Sequence, residues 1–254
     1  MTIMKKAQIM AFAASAAVAG FASAANAEDR EFAWSFTAGA TSDYIFRGIS
    51  FTGEDPAAQG SIDISWGQLY AGAWASNING AGYEPWELDL YVGYKPVVGQ
   101  FTFDFGAVGY LYPDADVGGD TNYFELKAGV STEIVKGLTG GVTLWFTPDQ
   151  SNYSETYSVE GSLAYTFPAI GIFTPTVSGL VGYTEDTDNT DIFVLGVDSY
   201  TYWNAGIAFA VEKFVFDFRY WDTDVSSSYG GAAAAAADDI TDSRFVFSAK
   251  VTLP

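Results

Sequence analysis

Trp86-Glu87-Leu88-Asp89-Leu90-Tyr91-Val92-Gly93-Tyr94 sets Trp, two Leu, Val and Tyr on alternate positions, with Glu, Asp, Tyr and Gly between them. Successive side chains of an extended chain point to opposite faces, so the stretch reads as a strand with one apolar face and one face that carries charge. The same alternation recurs on both sides of it. Phe32, Trp34, Phe36, Ala38 and Ala40 oppose Ala33, Ser35, Thr37, Gly39 and Thr41, and Phe101, Phe103 and Phe105 oppose Thr102 and Asp104. Phe214, Phe216, Phe218 and Tyr220 oppose Val215, Asp217 and Arg219, and the chain closes on Phe245, Phe247, Ala249, Val251 and Leu253 against Arg244, Val246, Ser248, Lys250 and Thr252. Helix-period patterns are absent after residue 27.

Counting such segments predicts about twelve strands, near 31–49, 57–66, 69–76, 84–95, 101–112, 122–131, 138–147, 155–167, 172–183, 200–211, 214–222 and 243–253. Pro175 must fall at a bulge or strand end, because it has no N–H to give to a ladder. The first strand has a second candidate end near Gly48. Connections from even to odd strands are short: Gly67-Gln68, 96–100, 132–137, 168–171 and Glu212-Lys213. Those from odd to even strands, 50–56, 77–83, 113–121, 148–154, 184–199 and 223–242, are longer and acidic. With their flanking residues they hold 18 of the 31 acids and no Lys or Arg. Long outer loops and short periplasmic turns are the asymmetry of an outer-membrane barrel.

The expected fold is therefore all-β, an antiparallel transmembrane β-barrel of about twelve strands over residues 28–254. Aromatic residues make up 17% of the chain, and several sit where strands end: Trp66, Trp86, Tyr94, Phe101, Phe146, Phe167, Phe173, Trp203 and Tyr220. That placement suits the two interfacial girdles of a barrel. A closed barrel also satisfies every backbone polar group without water, the only sheet solution in hydrocarbon. A secreted β-sandwich, with the apolar faces turned inward, is the competing reading. Residues 1–27 read as a cleaved signal peptide: Lys5 and Lys6 precede an apolar stretch, and Ala25-Asn26-Ala27 offers small residues at a cleavage site. The alternative is an N-terminal membrane anchor.

Composition removes whole classes of function. The 254 residues include no His and no Cys, so Ser-His and Cys-His nucleophiles, imidazole or thiolate zinc sites and disulfides are excluded. A net charge of −20 argues against a nucleic-acid partner. No pair of carboxylates stands out for glycoside hydrolysis, so an enzyme is not expected, and no cofactor is implied. Glu185-Asp186-Thr187-Asp188-Asn189-Thr190-Asp191 lacks the glycine and terminal glutamate of an EF-hand loop, so it reads as a solvated acidic loop and no metal site is assigned. The run 230–237 reads as a low-complexity loop tip.

Ser42-Asp43-Tyr44-Ile45-Phe46-Arg47-Gly48-Ile49-Ser50 resembles the N-terminal hallmark of the TorF family of porins. Gly72-Ala73-Trp74-Ala75-Ser76-Asn77-Ile78, the Glu87 to Tyr94 stretch, Tyr112-Pro113-Asp114 and Tyr220-Trp221-Asp222-Thr223-Asp224 are similar to that family in the same order. The resemblance implies an outer-membrane porin. Its family name, tied to trimethylamine N-oxide respiration, implies small zwitterionic solutes. The chain departs from a usual barrel C-terminus by ending Leu253-Pro254 instead of on an aromatic residue.

Twelve strands about 4.8 Å apart and tilted near 40° give a backbone diameter of roughly 24 Å, which side chains narrow to roughly 10 Å. By strand parity the inward, pore-lining candidates are Asp43, Arg47, Asp63, Glu87, Asp89, Asp104, Glu125, Lys127, Glu160, Asp217, Arg219, Arg244 and Lys250. Asp217 with Arg219 and Glu125 with Lys127 are neighbours on one face, about 7 Å apart along the strand. Asp43 and Arg47, about 13 Å apart on that rise, are not expected to pair with each other. The mixed charges either set a transverse field across a channel or form cross-lumen salt bridges in a filled barrel. The expected function is passive diffusion of small polar, cationic or zwitterionic solutes across the outer membrane. The alternative is a non-conducting surface barrel whose acidic loops bind divalent cations or lipopolysaccharide. Expected partners are outer-membrane lipid and lipopolysaccharide, small solutes and the barrel-assembly machinery.

Overall fold

Along Trp86–Tyr94 burial alternates as the sequence does. Glu87, Asp89, Tyr91 and Gly93 are buried, while Trp86, Leu90, Val92 and Tyr94 are exposed. The computed structural model of the chain describes residues 31–79, 85–113, 121–151, 153–188, 192, 195, 197–225 and 240–254. The stretch 1–27 read as a signal peptide, the run 230–237 and the loop acids Glu84, Asp114, Asp116, Asp120, Asp191, Asp238 and Asp239 lie outside them.

The strands are β1 (Phe32–Thr41), β2 (Ile45–Phe46), β3 (Ile49–Ser50), β4 (Ala57–Trp66), β5 (Leu69–Asn77), β6 (Trp86–Tyr94), β7 (Val97–Val98) and β8 (Phe101–Leu111). They continue as β9 (Tyr123–Val135), β10 (Leu138–Thr147), β11 (Thr156–Thr166), β12 (Thr174–Asp186), β13 (Ser199–Val211), β14 (Phe214–Thr223) and β15 (Arg244–Leu253). Twelve of them form one closed antiparallel ring: β1, β4, β5, β6, and β8 through β15. Each pairs with its ring neighbour in the chain, and β1 returns to β15 in the register Phe36 with Leu253 through Thr41 with Ser248. Closure leaves no unpaired edge, which is the requirement for a sheet in lipid. β7 pairs only with the start of β8, inside the β6–β8 turn.

The wall is apolar outside and polar inside, the reverse of a sandwich. Phe32 is 63% exposed, Leu163 56% and Phe218 52%, whereas Glu87 and Thr147 are fully buried. Pro175 stands second in β12, at the short-turn end, where its missing N–H interrupts little of the ladder. β9 runs on to Val135, so the turn before β10 is Lys136-Gly137 alone. β12 likewise runs on to Asp186.

The first strand departs from expectation. It stops at Thr41, and neither residue 49 nor Gly48 is its end. Residues 42–52 leave the wall and fold into the barrel, with β2 and β3 paired as a two-stranded hairpin of their own. Its turn is Arg47-Gly48, at φ 48° and 84°. Two positive φ values make the mirror-image turn that matches strand twist in a tight hairpin, a turn in which the first position is usually Asn, Asp or Gly. Arg47 accepts that left-handed conformation because its side chain is held elsewhere.

Inside the wall, large rings lie over glycines of the next strand. Tyr202 stands opposite Gly182, Tyr70 opposite Gly93 and Tyr91 opposite Gly72. A Cβ on Gly182 would sit 2.2 Å from the Tyr202 ring. Gly182→Val is therefore expected to expel that ring and to lower barrel stability by about 1–3 kcal/mol, read as a lower urea midpoint in vesicles. Gly161→Val, where an added Cβ meets nothing within 4 Å, should leave the midpoint unchanged.

Candidate functional site

The barrel interior gathers the charge that the wall excludes, and the hairpin organises the end from which the long connections emerge. Its base is tied down first. Ser50 and Thr52 donate from their hydroxyls to Asp43 Oδ1 at 2.6 and 2.8 Å, and Arg244 of β15 donates to Asp43 Oδ2 at 3.0 Å. Arg244 also lies 3.4 Å from Glu54.

At the tip, Arg47 makes a two-pronged ion pair with Glu125 of β9, both contacts at 2.8 Å. Arg47 is 3% exposed and Glu125 1%. Glu125 further accepts from the Thr147 hydroxyl at 2.8 Å and the Tyr110 hydroxyl at 2.9 Å. The Arg47 guanidinium stands over Phe46 and Trp145, 4.8 and 5.6 Å from the ring centroids. A buried pair of this kind persists because hydrogen bonds replace the water that both ions lose.

The hairpin reaches every side of the barrel. Tyr44 and Phe46 pack with Tyr70, Trp74, Tyr91, Tyr110, Tyr112 and Tyr123 of the wall from β5 to β9. Ile49 packs against Leu180, Tyr200 and Tyr202 of β12 and β13, and Ile45 against Trp221 and Val246 of β14 and β15. Described residues of the 187–198 connection join them: Ile192, Leu195 and Val197 are buried against the same cluster. Gly48 has no room for a side chain, since a Cβ there would lie 2.4 Å from Thr223 Cγ2. The interior at the long-loop end is thus filled by chain.

Charge continues through the rest of the interior, from the short-turn end up to the hairpin. Asp104 accepts from Lys127 at 2.6 Å and Tyr70 at 2.8 Å, with Lys95 at 3.6 Å. Lys95 also lies over the Tyr70 ring, 4.7 Å from its centroid. Asp217 holds Arg219 at 2.9 Å, and Arg219 reaches on to Asn204 at 2.6 Å and Ser178 at 3.0 Å. Lys250 lies beside Asp217 and Arg219. Asp63 accepts from the Tyr91 and Ser61 hydroxyls, and Glu160 from the Trp145 indole and the Tyr202 hydroxyl. Glu87 accepts from Tyr44 of the hairpin at 3.0 Å, and Asp89 lies two residues on along β6.

The structure turns most of these side chains into the barrel and joins Asp217 to its neighbour Arg219, but it chooses other partners elsewhere. Glu125 and Lys127 do not pair with each other: Glu125 is taken by Arg47 and Lys127 by Asp104, because the nearest opposite charge lies across the barrel or on the next strand. Asp43 and Arg47 stand on the inserted hairpin, not on a wall strand, and each has its own partner. Sequence reasoning passed over Lys95, although extending the odd-numbered face of β6 by one more residue points it inward. It also passed over the inward rings Tyr70, Tyr91, Tyr110, Tyr123 and Tyr202, which share the faces of the charged residues. Of the loop acids, Asp186 is buried and accepts from Ser154 and from the N–H of Asp188, while Glu185 is exposed.

Known proteins resemble this barrel in shape more than in sequence. The KdgM porin structure superposes with a TM-score of 0.56 over 87% of this chain and 99% of that one, at 7% identity. The NanC porin structure, in its rhombohedral crystal form, gives a TM-score of 0.50 over 87% and 100%, at 12% identity. At such identities the likeness establishes the shared fold, that of outer-membrane porins. No curated protein sequence matches the chain. The model of a family described as bacterial protein of unknown function, Gcw_chp, matches residues 25–253, which include every strand of the barrel, and the chain belongs to that family.

Proposed function

We propose that the chain is an outer-membrane porin narrowed by its 42–52 hairpin, which passes small polar solutes and favours cations and zwitterions over anions. The observation that carries this reading is a polar, charged interior enclosed by an apolar wall. The long-loop end faces outward and the termini face the periplasm, after export by a signal peptide cleaved behind Ala27. Asp63, Lys95, Asp104, Lys127, Glu160, Asp217, Arg244 and Lys250 line the path, while Asp43, Arg47, Glu87, Asp89, Glu125 and Arg219 are buried behind it. The lining is balanced in charge, and the acidic loops at the mouth raise local cation concentration within a Debye length of about 8 Å at physiological salt. The Ser42 to Ser50 segment, whose sequence resembles the TorF family of porins, forms the hairpin.

The packing of the hairpin against both sides of the barrel favours a second reading, in which the resting barrel conducts little until the hairpin moves. Planar-bilayer recordings separate the two. A porin open beside its hairpin gives reproducible steps with a cation-selective reversal potential in a KCl gradient. A barrel closed by its hairpin stays silent until residues 44–51 are replaced by a short glycine-serine link. Anion-selective steps would overturn the selectivity, and silence of both forms would overturn the pore.

A further inference from the structure

Glu87 and Asp89 point the same way from β6, are 0% and 4% exposed, and form no ion pair with a described residue. They are hydrogen-bonded to each other. Glu87 also accepts from the hydroxyls of Tyr44, at 3.0 Å, and of Tyr112. The groups packed around the pair bring no positive charge. Ser76 and Trp74 face it from β5, Tyr110 from β8, Tyr112 from just beyond β8, and Tyr44 from the hairpin. The one other acid that acts on Asp89 is Glu125 of β9, which Arg47 already neutralises.

A carboxylate has no hydrogen to donate, so a hydrogen bond between two carboxyl groups requires a proton on one of them. Without it, two anions would lie side by side with neither water nor a cation to offset them. We propose that Glu87 and Asp89 share one proton, and that this proton holds the hairpin in the barrel at neutral pH and releases it in alkali. The coupling runs through Tyr44. Its hydroxyl closes over Glu87, and its ring packs with Trp74, Tyr110 and Tyr112, which keeps water from the pair. A second negative charge there is solvated only when the hairpin withdraws. In the withdrawn state both carboxyls meet water and carry no proton above about pH 5. The held state binds one proton more, so its share falls as pH rises, by at most about tenfold per pH unit. The motion rests on the reading in which the hairpin closes the barrel; the shared proton does not.

The first test is the infrared spectrum of the full chain folded in detergent, wild type beside Asp89→Asn, whose amide can donate to Glu87 without an added proton. Wild type should show a protonated-carboxyl band at neutral pH that the variant lacks. No such band in wild type, or a band that Asp89→Asn leaves unchanged, would overturn the shared proton. Should Asp89→Asn not fold, as judged by its heat-modifiable gel shift, Glu87→Gln takes its place. The hold is read separately, from urea unfolding in vesicles and from single-channel recordings between about pH 6 and 8.5. As pH rises, the wild-type unfolding constant should grow relative to that of Asp89→Asn by at most about tenfold per unit, and wild-type openings should become more frequent while the variant's do not. Parallel pH profiles of the two proteins would overturn the hold. Silence of both in the bilayer, with the band present and the unfolding constants diverging, would remove the pore and leave the proton and its hold standing.

Discussion

Arg47→Ala is expected to release the hairpin and to raise single-channel conductance, while destabilising the barrel by about 3–5 kcal/mol. The cost comes chiefly from what is left behind. Glu125 would keep the Thr147 and Tyr110 hydroxyls but would sit at 1% exposure as an uncompensated anion. Arg47→Ala/Glu125→Gln removes that buried charge, so most of the lost stability should return. The hairpin would still lack its tether, so conductance should stay high. Stability and closure therefore separate in a double-mutant cycle, which a purely structural ion pair would not produce. The chain has no cysteine of its own, so Ile49→Cys supplies a clean reporter. Its thiol should resist a water-soluble reagent when Arg47 is present and react when it is absent. Protection and conductance unchanged by Arg47→Ala would show that packing alone holds the segment in place.

The second large effect concerns the outside of the wall. Leu90 sits midway along β6 and is 49% exposed, with Val92 and Tyr94 beyond it on the same face. If that face meets hydrocarbon, Leu90→Arg places a cation near the bilayer midplane at a cost of about 2–4 kcal/mol. The reversible urea midpoint in vesicles should fall accordingly. In a water-soluble protein the same change would remove an exposed apolar side chain and cost almost nothing. Val98→Arg, close to the short-turn end and 62% exposed, is the internal comparison, because the penalty falls to about 0–1 kcal/mol near the interface. Equal midpoints for the two variants would remove the membrane from the account of this fold.

Most of the wall is legible in the sequence because alternation records a real asymmetry of solvent. Phe214, Phe216, Phe218 and Tyr220 face outward and Asp217 and Arg219 inward for the reason the pattern suggests. Chain ends of the strands are equally readable where two-residue turns such as Glu212-Lys213 force them. The hairpin was not legible. Asp43-Tyr44-Ile45-Phe46-Arg47 is still apolar enough to pass as a continued strand, and periodicity does not distinguish a residue that meets lipid from one that meets a protein interior. Ile45, Phe46 and Ile49 are buried by the barrel they fill. The partners of the charged residues were hidden for a different reason. Arg47 and Glu125 are 78 residues apart, and only ring closure and the inward fold bring them together.

Asp43 follows the first wall strand and Arg244 opens the last, 201 positions further along the chain. Their bond cannot form while the final strand is still unmade or still outside the ring. It is a latch at the seam where the first and last strands pair. A later attempt to withdraw the hairpin then pulls on the joint between the two ends of the sheet, so the stopper and the clasp of this vessel are one part.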